Sequence, residues 1–243
     1  MVLAFACLAL GCLAARDVPA SLAAVHKIVL MGDSITEIGS SPHGYVTLVA
    51  HTLNELDPNH QFEVINAGIS GQKATDMHAR FQKDVIDRHP DVVTLSVGVN
   101  DVWHDFRDPG WNKRVPTGDS GAGLKLPVYI QEVDAMATEA KAAGIRMVLV
   151  SPTLVYEDLI CAENQRLMEY VDAERDIARR HHLTFVDLNA VFRDVVKKYQ
   201  QEAGTGHLLL TVDGVHMNDQ GNNLMAAQIL KAFGVAMQDK LSP

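Results

Sequence analysis

The stretch His26 to Thr36, HKIVLMGDSIT, decides the fold. Its apolar run, Ile28 to Met31, stops at Gly32-Asp33-Ser34. That reads as a strand buried on both faces, ending in a tight turn that carries a serine. A helical pattern follows soon after. The C-terminal end of the first strand of an α/β sheet is where such sheets bind ligands. Alone, a serine there is most simply a turn residue, because its hydroxyl bonds nearby backbone. A distant partner changes the reading: Asp213-Gly214-Val215-His216. Serine, aspartate and histidine can form a nucleophile, an orienter and a base.

Outward from this stretch, short apolar runs recur at wide intervals: His26–Met31, Phe62–Asn66, Val92–Val97, Ile145–Ser151 and Leu183–Asp187. Each reads as a strand buried on both faces. Segments of helical period separate them, the clearest being Tyr45–Leu56, Ala74–Arg88, Pro127–Ala143, Glu163–His182 and Gln220–Met237. Gly144 reads as a helix stop, and Asn218 or Asp219 as the cap of the last helix. Alternating strands and helices predict a parallel sheet with helices on both faces and right-handed crossovers. No internal repeat or linker interrupts residues 21–243, which read as one domain.

Residues 1–15, MVLAFACLALGCLAA, carry no charged side chain. The run is short for a bilayer span, which needs about 20 residues. A leader over 1–20 and a secreted or periplasmic protein are expected, with small Ala14 and Ala15 ahead of a cleavage point. No Lys or Arg precedes the apolar stretch, so the rival is a mis-set start or a buried N-terminal segment. Leu10-Gly11-Cys12 also resembles a lipoprotein processing site at Cys12, although Ala9 stands where a larger aliphatic residue is usual. Beyond the leader only Cys161 remains, so no disulfide scaffold is implied.

The formal charge is −9, from 30 acidic and 21 basic residues, with no basic block. Nucleic acid and anionic membrane surfaces are therefore not expected partners. The segment Trp103 to Leu126 is rich in Gly, Pro and Asp and reads as a long loop, functional or disordered. It holds both tryptophans, Trp103 and Trp111, with Phe106 between them. Aromatic side chains beside a cleft can stack on a sugar or aryl ring, or simply pin the loop to the body. His104 and Arg107 either touch substrate or lie solvated in that loop.

Further strand ends carry Asn66-Ala67-Gly68-Ile69-Ser70-Gly71 and Gly98-Val99-Asn100-Asp101. With Ser34 in GDSIT, Gly71 in NAGISGQ, Asn100 in GVND and His216 in DGVH, the chain resembles the SGNH hydrolases, also called the GDSL esterase/lipase family. Within that family it looks nearest the bacterial carbohydrate acetylesterases. The likeness runs from His26 to about Gly234, with Ile35 replacing the leucine that names the family.

The resemblance implies an α/β fold: a three-layer α/β/α sandwich on a parallel five-stranded sheet, flavodoxin-like, using no metal or organic cofactor. It implies Ser34 as nucleophile, His216 as base and Asp213 as orienter. It also implies an oxyanion hole of the Ser34 N–H, the Gly71 N–H and the Asn100 amide. Asp33, Trp103, His104 and Trp111 are further candidates for substrate contact. The expected activity is hydrolysis of short acyl esters, chiefly acetyl, on a small-molecule or carbohydrate substrate. A lipase, lysophospholipase or thioesterase is the alternative enzyme, and a silent carbohydrate-binding module the alternative from another class. An ordinary α/β-hydrolase elbow is disfavoured because Thr36 replaces its second glycine. A metal site from Asp33, Asp101, His104, Asp213 and His216 lacks a recognised ligand spacing.

Overall fold

The computed structural model describes residues 18–57 and 59–235. Residues 1–17 of the expected leader, Cys12 among them, lie outside the described residues, and the last helix closes at Ala232 rather than at the expected Met237, where Gly234 turns left-handed at φ +88°. Strands β1 (Lys27–Gly32), β2 (Glu63–Gly68), β3 (Val92–Ser96), β4 (Arg146–Val150) and β5 (Thr184–Val186) form one parallel sheet in the order β2-β1-β3-β4-β5. This is the flavodoxin-like order, and the chain reverses direction across the sheet between β1 and β3.

The helices are α1 (Ser34–Ile38), α2 (Tyr45–Leu56), α3 (Ala74–Asp84), α4 (Val99–Trp103), α5 (Leu126–Ala142), α6 (Ala162–His181), α7 (Leu188–Ala203) and α8 (Asp219–Ala232). Helices α2 and α8 pack together in one layer, while α5 packs with both α3 and α6 in another. Val18 and Leu22 pack on the core, and the Ser21 hydroxyl donates to the Phe233 carbonyl at 2.6 Å.

The central strands behave as their apolar runs require. Ile28, Val29, Leu30 and Met31 are fully buried, as are Val92, Val93 and Leu95. Strands β2 and β5 do not. They are edge strands, and most of their residues are only half-buried or exposed. The expectation of burial on both faces fails there because each edge has a neighbour on one side only. The segment expected as the loop 103–126 is helical at both ends, since Trp103 closes α4 and Leu126 opens α5.

Register places the decisive turns together. Gly32 pairs with Gly68, and Met31 pairs with Leu95. The segments that follow β1, β2 and β3 therefore leave one edge of the sheet side by side.

Candidate active site

Asp33 caps α1: its Oδ1 accepts the Ile35 N–H at 3.0 Å. Ser34 is consequently the first residue of that helix, half-buried, with its N–H in the turn where no intrahelical acceptor exists. The Ser34 hydroxyl lies 2.9 Å from His216 Nε2, although the two residues are 182 positions apart in sequence. His216 Nδ1 lies 2.7 Å from Asp213 Oδ2. Asp213 Oδ1 accepts the N–H groups of His216 at 2.8 Å and Val215 at 2.9 Å.

Burial acts to raise the Asp213 pKa. The hydrogen bonds from the His216 ring and from these two backbone N–H groups outweigh it and hold the carboxyl below its ordinary value. An ionised carboxylate only accepts, so Nδ1 carries the ring proton and Nε2 presents a lone pair to the Ser34 O–H. A serine, a histidine and an aspartate thus stand in one hydrogen-bonded row.

Asn100 ties the first two strand ends together. Buried at 3% exposure, it donates from Nδ2 to the Gln72 carbonyl at 3.0 Å and to Asp33 Oδ2 at 3.3 Å. Its amide therefore lies between the Ser34 turn and the Gly71-Gln72 turn. Gly71 is exposed with φ +76°, a left-handed conformation that favours glycine. Neither the Ser34 nor the Gly71 N–H has an acceptor among the described residues.

Asp33 is corrected as a substrate contact. It is buried at 3% exposure, with one oxygen on the α1 backbone and the other on Asn100. Burial pushes its pKa up to about 6, against the lowering effect of the Ile35 N–H. Asp101 behaves alike. It is fully buried, it accepts the Ala74 N–H at 2.9 Å, and burial pushes it up to about 7. Asp33, Asp101, His104, Asp213 and His216 do not gather into a ligand set. Among the described residues no group of three or more His, Cys, Asp or Glu could hold a metal ion.

The long loop is built around aromatic contacts. The Trp103 and Trp111 rings meet edge-on at 5.0 Å, and His104 packs edge-on to Trp111 at 4.8 Å. Trp103 Nε1 donates to the Tyr156 hydroxyl at 3.2 Å. Trp111 is 45% exposed, whereas Phe106 is 1% exposed and covered by the Arg166 guanidinium at 4.6 Å. Of the two readings open for the loop aromatics, Phe106 takes the second and pins the loop to the body. His104 is partly buried, and burial together with the Lys73 charge lowers its pKa to about 4, so the ring is neutral at neutral pH. The loop is tied down by the Arg114–Glu163 pair, with contacts of 2.7 and 2.6 Å to a fully buried carboxylate.

Residues 30–224 match the model of the GDSL-like lipase/acylhydrolase family. The chain belongs to that family. This GDSL-like acylhydrolase is 28% identical over 223 residues to an acetylxylan esterase of Geobacillus stearothermophilus, covering 86% of this chain and 94% of the relative. It is 23% identical over 227 residues to the isoamyl acetate-hydrolyzing esterase of Saccharomyces cerevisiae, covering 85% of each. Among solved structures, the acetyl xylan esterase AlAXEase superposes with a TM-score of 0.75 at 31% identity, covering 85% of this chain and 98% of that one. The Geobacillus enzyme has also been solved as catalytic mutants in which a serine, an aspartate or a histidine is replaced by alanine. This GDSL-like acylhydrolase is an SGNH-type carboxylic ester hydrolase. No helix among its described residues is long and apolar enough to cross a membrane.

Sequence reasoning missed Tyr156, Glu157 and Asn164. The Tyr156 N–H donates to the Gly214 carbonyl at 2.6 Å, and Glu157 is a buried carboxylate that accepts from residues 209–211. The available signal was position. The segment Ser151 to Glu157 follows β4 and leaves the same sheet edge as the other turns.

Proposed function

We propose that this esterase removes acetyl groups from carbohydrate by a Ser34–His216–Asp213 triad. The observation that carries the reading is the 2.9 Å contact between His216 Nε2 and the Ser34 hydroxyl, backed by Asp213 on the far ring nitrogen. His216 takes the Ser34 proton as Oγ attacks the acyl carbon. The tetrahedral oxyanion is met by the Ser34 and Gly71 N–H groups and the Asn100 amide. The alcohol leaves with the proton held on His216, and water reverses the sequence to release acetate and free Ser34.

Both named relatives carry acetate esters in their names, one on a polysaccharide and one on a small alcohol. The shared acyl group supports acetyl. The exposed Trp111 face beside Trp103 and neutral His104 supports a sugar as acceptor, because a sugar ring can stack on an aromatic face without an ionic partner. An acceptor of this kind agrees with export through the apolar leader, which is part of the proposal.

A second reading, an esterase for longer apolar groups, draws on one feature. A groove of about 670 Å³ lies beside the Asp213 turn, lined by Tyr156, Leu159, Ile160, His207 and Leu208 among others. Rates on p-nitrophenyl esters from acetate to octanoate, with acetylated xylo-oligosaccharides alongside, separate the two. The proposal expects a steep fall from acetate to octanoate, since added methylenes find no pocket and forgo roughly 0.8 kcal/mol each. Ser34→Ala should be inactive, and Trp111→Ala should lose more on the oligosaccharide than on the aryl acetate. Faster turnover of octanoate than of acetate overturns the carbohydrate reading.

A further inference from the structure

We infer that Glu157 is a positioning residue whose carboxylate sets the Asp213–His216 turn against Ser34. The inference rests on the triad reading above. Glu157 does not touch the row of catalytic groups. It acts through the hairpin that carries two of them.

The hairpin runs from Leu209 to Asn218. Thr211 and Met217 face each other as an antiparallel bridge, the Val212 N–H donates to the His216 carbonyl at 2.9 Å, and the Asn218 N–H donates to the Leu210 carbonyl at 3.0 Å. Asp213, Gly214, Val215 and His216 form the tip. Leu209 and Leu210 lead into the bridge through a bend, and among the described residues the N–H groups of Leu209, Leu210 and Thr211 meet no backbone carbonyl, so they need acceptors from elsewhere.

Glu157 supplies them. Buried at 5% exposure, it accepts at Oε1 from Leu210 N at 2.8 Å, Thr211 N at 2.9 Å and Thr211 Oγ1 at 2.8 Å. Its Oε2 accepts from Leu209 N at 2.6 Å. Charge-assisted bonds of this kind are shorter and stronger than neutral ones. Leu210 and Thr211 are each 3% exposed, so water is a poor substitute for the carboxylate.

Glu157 is itself held from behind. Asn164 on α6, 1% exposed, accepts the Val155 N–H at 2.9 Å and donates to the carbonyls of Val155 at 2.8 Å and Asp158 at 2.7 Å. Gln200 on α7 donates to the Glu157 carbonyl at 2.6 Å. Tyr156, next in the chain, holds the tip. Its N–H reaches the Gly214 carbonyl at 2.6 Å, and a Cβ at Gly214 would stand 2.7 Å from its ring. Tyr156 adopts φ +59°, an uncommon left-handed conformation for a non-glycine residue. Two adjacent residues thus grip the hairpin at its base and at its tip, and α6 and α7 together hold the segment that carries them.

The test compares Glu157→Gln and Glu157→Ala with wild type and Ser34→Ala, using the full chain and p-nitrophenyl acetate. Glutamine keeps the volume but turns an N–H₂ toward backbone N–H donors. Displacing a catalytic group by about 1 Å can cost on the order of 100-fold. The alanine variant should approach that loss in kcat, and the glutamine variant should lose about tenfold, with KM little changed. Labelling of Ser34 by a sulfonyl fluoride should slow in parallel, and the downfield proton signal of the His216 Nδ1–H should broaden or vanish. Thr211→Val removes one donor without touching the carboxylate. It should lower kcat several-fold, and it decides the matter if the Glu157 variants do not fold.

A folded Glu157→Gln enzyme within about twofold of wild-type kcat, beside an inactive Ser34→Ala, overturns the inference and leaves the triad reading standing. Labelling of Ser34 at the wild-type rate in the folded fraction assigns Glu157 to stability alone and overturns it too. An active Ser34→Ala removes the triad reading and this inference with it.

Discussion

Replacing Asp213 with asparagine changes one oxygen to an N–H₂ and tests the row of hydrogen bonds at its far end from Ser34. Asp213 Oδ1 receives two backbone N–H groups, while Oδ2 receives the His216 ring. The amide can turn either way. With N–H₂ toward the backbone, two donors face two donors, at about 1–3 kcal/mol for each group left unsatisfied. The side chain will therefore keep its oxygen on the backbone and point N–H₂ at His216 Nδ1. Nδ1 must then accept, so the ring proton moves to Nε2 and faces the Ser34 O–H, donor against donor. On the proposed triad, the base is then present in the wrong tautomer. The expected loss is roughly 10⁴-fold in kcat, or about 5.5 kcal/mol of barrier. KM should hardly move, because neither group grips the bound ester. The Asp213 side chain is 50% exposed, so the fold should survive. Initial rates on p-nitrophenyl acetate at neutral pH, with circular dichroism as a check on folding, measure this directly. A folded variant keeping more than about a tenth of wild-type turnover would refute the tautomer argument.

Asn100→Ala should lower kcat by roughly 10²–10³ with a smaller change in KM, because an oxyanion donor acts on charge that develops only in the transition state. Steady-state kinetics on the same ester read this, and a change confined to KM would move Asn100 to substrate binding. A third expectation concerns stability. His78 on α3 bonds Glu132 and Glu139 on α5. Burial acts to lower the His78 pKa, but the hydrogen bonds to Glu139 and Glu132 outweigh it and raise the folded value above the ordinary one. The raised pKa means that this contribution is fully present below about pH 6.5 and fades as pH rises through the folded pKa. His78→Gln should therefore lower Tm more at pH 6 than at pH 8.5 in a thermal scan. An equal loss at both values rules out a charged His78 between Glu132 and Glu139.

The central strands and main helices were legible in the chain because each is dictated locally. Four apolar residues in a row need cover on both sides, and Tyr45–Leu56 carries its helical period within its own span. The four motif blocks were legible for the same reason, since each ends a strand or precedes a helix. A parallel sheet gathers such ends on one edge whatever its strand order.

Other features depend on neighbours that the chain does not name. Whether β2 and β5 lie inside or at the edge is a property of the whole sheet, and so is their exposure. Phe106 and Trp111 share a loop and a chemical class, but Arg166 of α6 covers one and leaves the other open. Asp33 stands beside Ser34 in sequence yet points inward, because its oxygens serve the start of α1 and the Asn100 amide. Glu157 reads in the chain as one acidic residue among 30 acidic side chains. Only the folded chain brings the backbone of residues 209–211 to it, across more than fifty positions of sequence. Local chemistry thus specified which residue types meet at the sheet edge. Tertiary packing decided which of them face a ligand and which hold the others in place, because burial and hydrogen-bond partners are set by what lies across the fold.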